Sequence, residues 1–400
     1  MNDTAPTRLP ASPAGDGTPH SSTRIARVEL DVFAYPITHH HASGRHITHR
    51  TRLAVRVHTA DGAVGEYVGG METMIAQAKI CARKLVGYGC FERELFYDTM
   101  KRDLRKNDKM GASPFDIALW DLAGKRTGLS VSQMLGGWRS RVPAYASTWF
   151  AGEKTAFPSP ESFADFAEQC HAMGYRGFKM HGWEEGDAAL EAAAIRLLGD
   201  RVGDCMALMH DAACHLRTFA DALAVGRACD EANFFWYEDP YSDGGLSAYA
   251  HKKLRQLIRT PILIGEHVRG LESVGTLLLA EGTDFVRADP DFDMGITGTM
   301  KIAHLAEALG LDIELHAPGP AQRHCMSAIR NTNWYELSMV GPSGGVFTPA
   351  CYTCGYSDRL EDVGADGCFP VPTGPGLGVT IDWEWIRAHR SEHHVYDERD

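Results

Sequence analysis

Six ionisable residues recur along this chain at a nearly even interval: Lys179, Asp211, Glu238, Glu266, Asp289 and His316, separated by 32, 27, 28, 23 and 27 positions. Each closes a short apolar run, in RGFKMHG, CMALMHDA, NFFWYEDP, PILIGEH, DFVRADP and LDIELHAP. A (β/α)8 barrel of about 250 residues repeats every ~31 residues and takes its catalytic groups from the C-terminal ends of its strands. The interval therefore predicts that all six groups share one barrel mouth. Three carboxylates in one partly dry cavity, Asp211, Glu238 and Glu266, cannot remain ionised together without a cation. Any one of them alone could instead cap the next helix or pair with an arginine. An all-oxygen set of that charge suits a hard divalent ion such as Mg²⁺.

The elements that must hold these groups follow from the surrounding pattern. From about residue 142, short apolar strands alternate with amphipathic helical stretches, beginning with VPAYASTWF and ending with WYELSM, eight strands in all. Near-continuous apolar strands covered on both faces are those of a parallel sheet. The fold class expected is thus α/β, a TIM barrel over residues 142–340. Only about 20 residues separate the seventh and eighth strands, so the last units are expected to be modified. Residues 25–141 read as an α+β capping domain. Leu53, Val55 and Val57 alternate on one strand face, Asp61-Gly62 marks a hairpin turn, and SPFDIALWDLAGKRTG is a helix expected to start with Ser113 as N-cap and Asp116 in a capping box. Residues 341–400 are expected to pack back on that domain, and residues 1–24 to form a disordered tail.

Composition narrows the partners. The chain is 400 residues with 44% hydrophobic residues, a net charge of −12 and no Lys/Arg-rich run, which gives no footprint for nucleic acid or an anionic membrane. No apolar run is long enough to span a bilayer, and the N-terminus lacks a signal-type apolar region, so the cytoplasm is the expected location. The ten cysteines form no disulfide framework, and Cys351 and Cys354 lack the second pair of a structural zinc site. His39, His40, His41, His46 and His49 are expected on a polar lid loop, with Tyr67 and Met71 on a second lid segment. His210, His215 and His324 are expected to be structural.

The motifs ALWDLAGKRTGLSVSQMLGG, K-x-H, YEDP, GEH, DPDFDMGITG and LHAPG together resemble the enolase superfamily, and within it the mandelate racemase subgroup of acid sugar dehydratases and racemases. The resemblance spans about residues 25–385. It implies Mg²⁺ on Asp211, Glu238 and Glu266, a hydrogen-bonded dyad of Asp289 and His316, Lys179 beside the substrate carboxylate, and Glu336 as a proton donor to a carboxylate oxygen. The use of a Lys or His base with Mg²⁺ on an ene-diolate is likewise a property of the family and not of this spacing. Three positions depart from the pattern: His181 replaces the usual second lysine, Ala213 a polar residue, and His267 an asparagine. The activity implied is dehydration of an aldonic or aldaric acid to a 2-keto-3-deoxy acid, with racemisation, epimerisation or cycloisomerisation as the alternative. A small-molecule sugar acid is the expected partner, and a homo-oligomer the expected assembly.

Overall fold

The alternation at Leu53, Val55 and Val57 buries all three side chains completely against the helices of the N-terminal region. In the computed structural model, which describes residues 21–41, 44–342 and 348–399, this region is an antiparallel sheet of β1 (Ile25–His41), β2 (Gly44–Thr59) and β3 (Val64–Gly69). Gly62, at φ 90°, makes the β2–β3 turn in the left-handed region that glycine adopts without strain. The other face of β1 is apolar as well. Phe33, Tyr35 and Ile37 form a second core with Cys351, Ile381 and Ile386, so the C-terminal segment covers that face. The strand Arg390–Asp397 then joins the sheet beside β1.

Helices α1 (Ile75–Leu85), α2 (Arg93–Asp103) and α3 (Ser113–Thr127) complete the region. The start of α3 differs from the expectation. A 3₁₀ turn, Met110–Ala112, runs directly into it, so Ser113 is already helical and caps nothing. The Asp116 carboxylate instead accepts from the Thr297 amide at 2.9 Å and the Thr297 hydroxyl at 2.6 Å, on the barrel helix Gly295–Ala308. A tertiary contact has taken the group that a local capping box would use. Gly128 ends the helix at φ 72°, as the sequence indicates.

Eight strands follow: β4 (Arg141–Thr148), β5 (Gly177–His181), β6 (Ala207–Asp211), β7 (Trp236–Glu238), β8 (Ile262–Ile264), β9 (Phe285–Ala288), β10 (Asp312–Leu315) and β11 (Tyr335–Val340). They pair in parallel from β10 in sequence order back to β4, and β4 pairs with β11. The irregularity expected in the last units is found at the seam between β10 and β11. There, side chains take over from a strand ladder: the Glu314 carboxylate accepts from the backbone amides of Asn333 and Trp334, and Glu336 accepts from Ala317 N. The period of two within each strand explains why aromatic residues precede Glu238. Trp236 and Glu238 face inward, with Trp236 packed on Tyr145, Met209 and Leu263, whereas Tyr237 faces outward. No helix among the described residues is long and apolar enough to cross a membrane.

Candidate active site

Inward-facing residues stack in layers along the barrel, and the layer below the mouth is charged. Lys179 Nζ lies 3.0 Å from Asp211 Oδ2, 2.8 Å from Glu238 Oε2 and 3.1 Å from Glu336 Oε1. Beneath it, Arg287 Nε is 2.8 Å from Glu238 Oε1, and its Nη2 is 3.0 Å from Glu336 Oε2 and 3.0 Å from the Tyr145 hydroxyl. Lys179, Glu238, Arg287 and Glu336 are buried to 1% exposure or less. Burial opposes charge on Lys179 and Arg287, yet the facing carboxylates win and hold both cations well above their ordinary pKa. Glu336 is held below the usual carboxylate range because Lys179 and Arg287 outweigh its burial.

Two imidazoles flank this layer, and both are anchored in the same sense. On β5, His181 Nδ1 is 2.6 Å from the carbonyl oxygen of Thr148, which can only accept, so this nitrogen carries the proton and Nε2 is turned toward Asp211 Oδ2 at 3.2 Å. Just past β10, His316 Nδ1 is 2.7 Å from Asp289 Oδ2, and its Nε2 lies 3.5 Å from Glu266 Oε1. Asp289 is itself fixed by the Asp291 amide at 2.7 Å and the Gln322 side-chain amide at 3.3 Å. Phe292 stacks on the His316 ring. Burial disfavours the imidazolium of His316, but Glu266 and Asp289 overcome that and push its pKa up to about 9.

Lys179, His181, Asp211, Glu266, His316 and Glu336 line one cavity of about 160 Å³. Glu238 lies below it, fully buried. Asp211 and Glu238 are thus brought together around Lys179, but Glu266 stands apart on the His316 side. The reason is local: Gly265, at φ 137°, turns the chain where any side chain would meet Arg287 O at 2.5 Å, and Glu266 follows two residues after β8. The three candidate metal ligands do not converge within 4.8 Å of one another here, whereas Cys214, Asp239 and His267 do. The chemistry of the set nevertheless fits a hard divalent cation. Asp211, Glu238 and Glu336 share two permanent cations, Lys179 and Arg287, while Glu266 and Asp289 face His316 and Asp239 faces His267, so the six carboxylates outnumber the cationic groups beside them.

A second cavity of about 310 Å³ shares Glu266, His267 and His316 and opens beneath the N-terminal region. Tyr67 and Met71 line it, and the Tyr67 hydroxyl donates to Asp291 Oδ1 at 2.9 Å. Arg50 and Arg52 on β2 also line it, two positions that nothing in the histidine-rich sequence around them singles out. The histidines expected on a lid loop instead belong to the paired strands β1 and β2, where His39 stands opposite His46 and His49 opposite Pro36; the side chains of His39, His40, His41 and His46 lie outside the described residues, and His49 is exposed. His210 pairs with buried Glu191 at 2.8 Å, and His324 accepts from Ser132 N and donates to Leu377 O; both are structural, as expected. His215 packs on Phe150 beside the cavity. Cys351 and Cys354 are free thiols. Arg287 is a site residue that the strand-end spacing does not single out; its signal in the sequence is an arginine two residues before Asp289 within an apolar strand.

Two family models match the chain: the mandelate racemase / muconate lactonizing enzyme N-terminal domain over residues 27–136, and the enolase C-terminal domain-like model over residues 162–385. Among curated relatives, the D-gluconate dehydratase of Thermoproteus tenax is 28% identical over 85% of this chain and 70% of its own length. The D-galactarolactone cycloisomerase of Agrobacterium fabrum is 28% identical over 85% of this chain and 92% of its own. Among solved structures, D-glucarate dehydratase from Agrobacterium tumefaciens, complexed with magnesium, superposes with a TM-score of 0.78 at 27% identity, covering 93% of this chain and 100% of that one. With its eight-stranded barrel, its capping region and both models matched, the chain belongs to the mandelate racemase subgroup of the enolase superfamily.

Proposed function

We propose that this protein is a Mg²⁺-dependent dehydratase of aldonic or aldaric acids. The observation that carries the proposal is the pair of imidazoles on the second and seventh barrel strands. Each is anchored through Nδ1, to Thr148 O and to Asp289 Oδ2, and both line the one cavity that also holds Lys179. One histidine takes the proton α to the substrate carboxylate, and the other delivers a proton to the hydroxyl leaving the next carbon. Anchoring fixes each tautomer and aims Nε2 at the cavity, so no rotation is required at the moment of transfer. Lys179 places a cation beside the carboxylate on which charge develops. Asp211, Glu238 and Glu266 would hold Mg²⁺, which when bound supplies Lewis-acid stabilisation of that charge. The relatives named as dehydratases, and the neighbour complexed with magnesium, support this reading.

A pair of opposed proton-transfer groups also serves isomerisation, and the cycloisomerase relative favours that second reading. A screen of purified protein with Mg²⁺ against mono- and diacid sugars, read with semicarbazide, separates the two. A 2-keto product establishes dehydration. Exchange of the α-proton in D₂O without a keto product establishes an isomerase, and neither signal across the library refutes both.

A further inference from the structure

Three side chains at the barrel mouth are unused by the proposed reaction and belong together chemically. Cys214 follows β6, Asp239 is the first residue after β7, and His267 comes three residues after β8; their ligating atoms lie within 4.8 Å of one another. The loops are tied together, since Cys214 N donates to Asp239 O at 2.8 Å. Asp239 is 2% exposed, and its Oδ1 is buried with no hydrogen-bond partner among the described residues, although Oδ2 lies 3.3 Å from His267 Nε2. A buried carboxylate oxygen left without a donor is costly, and a bound cation satisfies it. Both Asp239 and His267 line the 160 Å³ cavity.

The geometry points to a second metal site, formed by Cys214, Asp239 and His267, that takes a thiophilic divalent transition ion such as Zn²⁺. Thiolate and imidazole prefer such an ion, whereas the all-carboxylate set of Asp211, Glu238 and Glu266 suits a hard one. At the tetrahedral angle, Zn–S and Zn–N bonds of about 2.3 and 2.0 Å set two ligand atoms ~3.5 Å apart, so atoms already within 4.8 Å of one another complete the set by closing at most ~1.3 Å. Three protein ligands leave a coordination position open, the pattern of an accessible zinc.

The test is Co²⁺ and Zn²⁺ binding to the intact protein in excess Mg²⁺. One equivalent of Co²⁺ is expected to give a thiolate-to-cobalt charge-transfer band, displaced by Zn²⁺. Cys214→Ser is expected to abolish the band, and His267→Asn, at a half-exposed position, to weaken Zn²⁺ binding by at least about 100-fold, the upper end of what losing a residue that only supports a ligand costs. A Cys205→Ser/Cys354→Ser variant, which removes the exposed thiols, is expected to retain both properties. Absence of the band in the unaltered protein, or its persistence in Cys214→Ser, overturns the assignment. So does unchanged Zn²⁺ affinity in His267→Asn. None of these results depends on turnover, so they stand apart from the dehydratase proposal.

Discussion

Arg287 offers the sharpest test of how the site is held. Its guanidinium is fully buried, 2.8 Å from Glu238 Oε1 and 3.0 Å from Glu336 Oε2, so Arg287→Met leaves Lys179 as the single permanent cation shared by those carboxylates and Asp211. Removing one partner of a buried ion pair costs ~3–5 kcal/mol, because the charge left behind keeps its desolvation penalty. Unfolding entropy near 2.1 cal/mol/K per residue gives about 0.8 kcal/mol/K for a chain of this length, so Tm should fall by ~4–6 °C. The facing charge supplies the internal control. In Arg287→Met/Glu336→Gln one of the stranded carboxylates is neutral, and roughly half of the loss should return. Calorimetry of the two variants beside the unaltered protein decides the matter. A fall of less than ~1 °C in the single variant, or a double variant less stable than the single one, refutes the argument that these charges are mutually compensated.

Other outcomes follow from the same geometry. Asp289→Asn removes the carboxylate charge at His316 Nδ1 and, with its carbonyl oxygen kept by the Asp291 amide, turns a donor toward the ring that disfavours the anchored tautomer, so kcat should fall by ~10²–10⁴ with little change in KM; equal loss in both would point to a binding role instead. Mg²⁺ should raise Tm, because it binds a folded site of excess negative charge; at about 100 times its Kd the gain is ~2.7 kcal/mol, or ~3 °C, and EDTA should reverse it. Acid stability should depend on Glu29, whose carboxyl burial alone would raise, but which His58, Arg56 and Arg27 hold at about 2. Because this folded pKa is depressed, its stabilisation is present above pH ~4.5 and is lost as the pH falls toward 2. With screening of the exposed Arg27 allowed for, the effect is on the order of 2 kcal/mol, and Glu29→Gln should flatten that part of the stability profile.

The barrel and the phase of its strand-end residues were legible because both rest on repetition: apolar runs recur at the barrel interval, and the polar residue closing each run marks the mouth. Lys179, His181, Asp211, Glu266, His316 and Glu336 meet in one cavity for that reason. What lay beyond the sequence depends on contacts between distant segments. Arg287 sits inside a strand, and its partners Tyr145, Glu238 and Glu336 come from three other strands. Asp116 satisfies the local rule for a capping box, yet Thr297, 181 residues away, takes its carboxylate. Glu266 shares the interval of its neighbours, but the turn at Gly265 sets it toward His316 and away from Asp211 and Glu238. Spacing specifies which strand end a residue occupies; the loop conformation decides where its side chain goes.

The central claim is that one of His316 and His181 takes the proton α to a carboxylate and the other delivers a proton to the hydroxyl leaving the next carbon. The most direct measurement is turnover in D₂O, followed by NMR, for the unaltered protein, His316→Asn and His181→Asn on a sugar acid identified by the screen. Deuterium in the product of the unaltered protein, with turnover lost by ~10³ or more in both variants, is the result expected. Product formed by His316→Asn at an undiminished rate would contradict the account.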